Sequence, residues 1–144
     1  ELVELQKTAF ELQVKAVSNI LEDVSANKVA SLRMRPVHSG LSSLRLQLIE
    51  PGVDSELKED TINSLIPVLI RVLEISLEQS IDVKKSNDLL VAYGGVIEIA
   101  NKMLQRFVGG QHPVDVDIRE SWESGDTQPL SDSISYWHGQ VSSK

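Results

Sequence analysis

Val3, Phe10, Val14, Val17, Leu21 and Val24 recur at intervals of three, four and seven through the first 27 residues. Apolar residues at that spacing fall on one side of an α-helix, so the pattern predicts a helix over residues 1–27. A second stripe, Leu2, Leu5, Ala9, Leu12, Ala16 and Ile20, runs beside the first. Two adjacent stripes make an apolar face wider than a single neighbour covers. The helix is therefore expected to pack against more than one partner, a second copy of the chain among them.

Leu41, Leu44, Leu48 and Ile49 predict a short amphipathic helix over 39–50, after Pro36 and closed by Pro51-Gly52. A third helix is expected over 55–80, with Asp54 as its N-cap and Glu56 in its first turn. It carries Ile62, Leu65, Ile66, Leu69, Val72 and Leu73 on one face, and Val68, Ile70, Ile75 and Leu77 elsewhere. Being apolar nearly all round, it should be the most buried helix, kinked at Pro67. Leu90, Tyr93, Ile97, Ala100, Leu104 and Phe107 predict a fourth helix over 87–108, capped by Ser86-Asn87-Asp88 and ended by Gly109-Gly110. The interior pair Gly94-Gly95 costs about 1 kcal/mol per glycine against alanine. Close approach of a neighbouring helix is the preferred explanation, and a break in the helix is the alternative.

The pattern changes after Gly110. Val114, Val116 and Ile118 alternate with aspartates, which predicts a short extended segment. Leu130, Ile134, Trp137 and Val141 then form one stripe of a short helix. The expected architecture is all-α: a four-helix bundle-like domain over 1–110, followed by an appendage over 111–144 that ends in a short helix. The appendage is expected to pack on the bundle; packing on a partner subunit is the alternative.

Composition removes several kinds of chemistry. The chain has no cysteine, and so no disulfide, thiolate nucleophile or cysteine-based metal site. The longest apolar run, residues 65–73, is interrupted by Pro67 and Arg71 and is too short to span a membrane. A cytoplasmic protein is the expectation. No glycine-rich phosphate loop is present, because neither glycine pair has the lysine or the strand–loop–helix setting. His112 with Asp115 and Asp117 has no specific metal-ligand spacing, and no cofactor or metal is expected.

Charge singles out one segment. Residues 28–49 contain no acidic residue, while Lys28, Arg33, Arg35 and Arg45 surround His38. The whole chain carries −7, so the remainder holds −11. A basic island in an acidic protein is a natural contact for an acidic or phosphorylated partner. Arg33, Arg35, His38 and Arg45 are accordingly candidate partner-binding residues. Trp122, Tyr136 and Trp137 are candidates as aromatic anchors.

Pro36 to Leu48, with His38 opening a leucine-rich amphipathic helix that carries Arg45, resembles in part the phosphoacceptor helix of histidine kinase dimerisation domains. The resemblance covers these residues alone, and Ser39 and Gly40 replace the acidic residue and arginine usual after such a histidine. It implies His38 as a phosphoryl acceptor, one alternative function. A small nucleic-acid-associated oligomer using residues 28–49 is another, not favoured because no aromatic side chains lie among the arginines. The leading expectation is a non-enzymatic protein-interaction or regulatory module (an adaptor, chaperone-like binder, inhibitor or immunity-type protein) that forms a homodimer.

Overall fold

The computed structural model of the chain describes residues 2–26, 34–80, 87–109 and 117–142. The protein is all-α. Its described helices are α1 (Leu2–Ala26), α2 (Met34–Leu48), α3 (Ser55–Glu78), α4 (Asn87–Val108), α5 (Ile118–Glu123) and α6 (Gln128–Ser142). Among the described residues, no helix is long and apolar enough to cross a membrane.

The helix ends follow local chemistry. The Asp54 carboxylate accepts the Leu57 N–H at 3.1 Å, capping α3. Asp117 caps α5 in the same way, accepting the Glu120 N–H at 3.0 Å. Gly109, with φ +81°, lies just beyond α4 in the left-handed conformation that glycine adopts without a Cβ penalty.

Two expectations are corrected. α2 begins at Met34 rather than at Ser39, with Pro36 inside its first turn. The first N–H groups of a helix have no intrahelical acceptor, so a residue without an N–H is accepted there. Ile118, expected in an extended segment, is the first residue of α5 and is buried. Val114 and Val116 of that same expectation, and Ser86 of the α4 cap, lie outside the described residues.

α1 packs against α2 and α3, and α4 packs against the same two helices. The bundle therefore runs α1–α2–α4–α3 around its axis, with α2 and α3 on a diagonal although consecutive in the chain. The side-chain amides of Gln13 and Gln47 exchange hydrogen bonds of 3.1 and 2.8 Å. Val17 lies against Gly40, so α1 and α2 are antiparallel. Phe10 shares a groove with Leu57, and the Gln79 side chain donates to the Val24 carbonyl at 2.9 Å; α1 and α3 are therefore parallel. Arg71 of α3 ties these two together, reaching Glu22 at 3.4 Å and the Ser25 hydroxyl at 3.1 Å.

α5 packs on α4, and α6 packs on α3, α4 and α5. Trp122 and Trp137 are fully buried. Trp122 stacks on Tyr93 of α4 with ring centroids 6.2 Å apart. Asn101 Oδ1 accepts from both the Trp137 indole N–H at 3.1 Å and the Ser133 hydroxyl at 3.2 Å. Fully buried side chains of this size contribute on the order of 3–5 kcal/mol each. Since net stability is typically only about 5–15 kcal/mol, α5 and α6 are part of the core that holds the bundle.

Candidate functional site

The tight packing of α4 creates the most chemically distinctive feature. α4 runs unbroken through Gly94 and Gly95, and each glycine seats a side chain from a different helix. A Cβ on Gly94 would stand 2.9 Å from Arg119 Nε, and one on Gly95 would stand 3.3 Å from His38 Cδ2. Close approach is thus the reason for the pair: the Arg119 side chain of α5 lies over Gly94, and the His38 imidazole of α2 lies over Gly95.

These groups meet in a cleft of about 370 Å³ lined by Arg35, His38, Ser39, Val91, Ala92, Gly95 and Arg119. Two guanidinium-bearing residues and an imidazole line it, and among the described residues no carboxylate does. Arg119 is held in place from behind. Its Nη1 donates to Glu98 at 3.1 Å, and its Nε lies 3.6 Å from Glu123. The hydrogen bond from Arg119 holds the Glu98 carboxyl below its ordinary range, against an opposing push from burial, and Lys102 adds to the lowering. Arg35 is exposed and, among the described residues, has no carboxylate partner. It stands in the first turn of α2, which contains no acidic residue. A cation at the positive end of a helix dipole is disfavoured by about 0.3–1 kcal/mol, so Arg35 adds to a local potential that attracts anions.

The residues expected from the sequence separate. Arg35 and His38 come together here, whereas Arg45 is exposed near the far end of α2, about 15 Å along the helix from Arg35. Arg33 lies outside the described residues, as do His112 and Asp115. Trp122 and Trp137, expected as anchors for a partner, have no exposed surface and are core residues instead. Tyr136 is half-buried with its ring edge-on to Trp137 at 4.9 Å. Arg119 belongs to this site and was not among the expected residues. Among the described residues, no cluster of three or more His, Asp or Glu side chains is placed to hold a metal.

The second feature is apolar. The first stripe of α1 faces the core through Phe10, Val17, Leu21 and Val24. The second stripe faces outward up to Ala16: Leu2, Leu5 and Leu12 are 73%, 69% and 62% exposed, and Ala9 and Ala16 are exposed too, whereas Ile20 at its end is partly buried against the core. Compared with protein families, with curated proteins and with solved structures, the chain gives no match.

Proposed function

We propose that the protein is a non-enzymatic interaction module of the regulatory kind, acting as a homodimer joined through the outer face of α1. The observation that carries this reading is the exposed leucine stripe of that helix. Burying a leucine gains about 1.5–3 kcal/mol, which Leu2, Leu5 and Leu12 forgo while they face water.

A second copy of the chain suits the stripe because the stripe is complementary to itself. Leu2, Leu5, Ala9, Leu12 and Ala16 follow alternating steps of three and four, the seam of a coiled coil. With two α1 helices antiparallel about Ala9, Leu5 of each copy meets Leu12 of the other. Leu2 falls opposite Ala16, large against small, and the two Ala9 residues face each other on the two-fold axis. Such an isologous contact closes on itself. A parallel pairing would instead continue the seam into Asp23 against Asp23, since 2, 9, 16 and 23 are heptad-spaced.

Light scattering on the intact chain over a concentration series tests the reading. The wild type is expected at twice the chain mass of 15.9 kDa, and Leu5→Glu/Leu12→Glu at the chain mass with its helical circular dichroism retained. Both side chains are exposed, so the double variant removes the contact without touching the core. A wild type that stays monomeric throughout, or a double variant that stays dimeric, overturns it.

A further inference from the structure

We infer that the cleft between α2, α4 and α5 binds a phosphate monoester, with Arg35 and Arg119 as its charged contacts and His38 as a third donor. The charges favour an anion. Among the described residues no carboxylate lines the cleft; Arg119 is paired with Glu98 and Glu123 behind it, and Arg35 is left without a carboxylate partner. An arginine at a helix N-terminus without a carboxylate partner becomes favourable once an anion arrives, and the helix dipole then acts in the same direction.

The donor set suits a tetrahedral group. The Arg35 fork can donate in a pair to neighbouring oxygens, Arg119 offers its Nη2, and a monoester presents three terminal oxygens to these and to the His38 ring. Arg119 is oriented before any ligand enters, because its Nε and Nη1 are engaged by Glu123 and Glu98. Among the described residues its Nη2 has no partner. The glycine pair serves the same purpose. Each glycine lets one of the site's side chains lie against α4, at a helix-propensity cost of about 1 kcal/mol apiece.

The fourth substituent of the phosphate has a place as well. Val91, which is 57% exposed, and Ala92 form an apolar wall, and 370 Å³ leaves room for an esterified group beyond the phosphate. A phosphorylated side chain of a partner protein and a free phosphorylated small molecule share this chemistry.

The test is a nuclear magnetic resonance titration of the intact chain with O-phosphoserine, following the His38 ring and arginine Nε signals. Saturable shifts are expected with a Kd below about 1 mM, and serine should produce none. Arg35→Gln should weaken binding about tenfold or more, the scale of one lost charge-assisted contact, while Arg45→Gln, on the same helix but outside the cleft, should leave it within about twofold. Gly95→Ala, which crowds the imidazole while favouring the helix, should also weaken binding. A phosphoserine peptide then separates the sources. Affinity about tenfold above that of the free amino acid points to a phosphorylated protein, and equal affinity to a small molecule. Absence of saturation up to about 10 mM, or equal losses in Arg35→Gln and Arg45→Gln, overturns the site. Titration reads the cleft and light scattering reads the α1 contact, so either inference can fail alone.

Discussion

Arg119 shows how one side chain can serve packing and chemistry together. Its pairing with Glu98 joins α5 to α4, and the same contact fixes the guanidinium at the cleft. Because the Glu98 carboxyl is held below its ordinary value of 4.5, the folded state binds its proton less readily than the unfolded state. The stability this supplies is present in full above the unfolded-state value and is lost as pH falls through the folded-state value. Glu98 is 40% exposed, so solvent screening keeps the effect small. Urea unfolding from about pH 5 down to about pH 3 should therefore show a slightly steeper loss of stability in wild type than in Glu98→Gln, with the difference shrinking at high salt. Equal slopes would remove the ion pair from the account. Arg35 and His38 stood out in the sequence because they lie within one acid-free window. Arg119 did not, because it sits in an acidic segment and only the folded chain brings it over Gly94. The tryptophans were legible only as core or anchor: an aromatic residue in an appendage that packs on the bundle suits either role, and packing decides for the core.

At the scale of elements, glycines allow close approach at three places, Gly40, Gly94 and Gly95. Gly40 of α2 faces Val17 of α1, and a Cβ there would stand 2.8 Å from Val17 Cγ2. Val17 is a branched side chain that is 3% exposed, so it has little room to yield. Alanine is the better helix former by about 1 kcal/mol, yet overpacking costs about 1–3 kcal/mol. Gly40→Ala should therefore destabilise the protein in urea unfolding, and a gain in stability would show that α1 and α2 separate easily. The positions of α1, α3 and α4 were legible from periodicity, and the Asp54 cap from its place before Glu56. The start of α2 was not, because a proline reads as a stop unless it falls in a first turn. The six-residue helix α5 is too short to show a period of its own. Only Asp117, with Glu120 three residues later, hinted at it.

For the whole molecule, the order α1–α2–α4–α3 packs α1 chiefly against α2 and α3, leaving Leu2, Leu5, Ala9, Leu12 and Ala16 of its second stripe outward. The sequence showed that the apolar face of this helix was too wide for one neighbour. It could not show that both intramolecular neighbours lie on the side of the first stripe. That unpartnered seam is the basis for the proposed dimer, and the absence of cysteine from the chain makes it directly accessible to test. Ala9→Cys would be the sole thiol, exposed at the centre of the stripe, and in the antiparallel pairing it meets its own copy within disulfide reach. Under mild oxidation it should cross-link to a covalent dimer rapidly and nearly completely, at a rate independent of dilution while the dimer persists. Asn63→Cys, exposed on α3, should cross-link slowly and in proportion to concentration. Matching slow rates at the two positions would contradict the α1 interface.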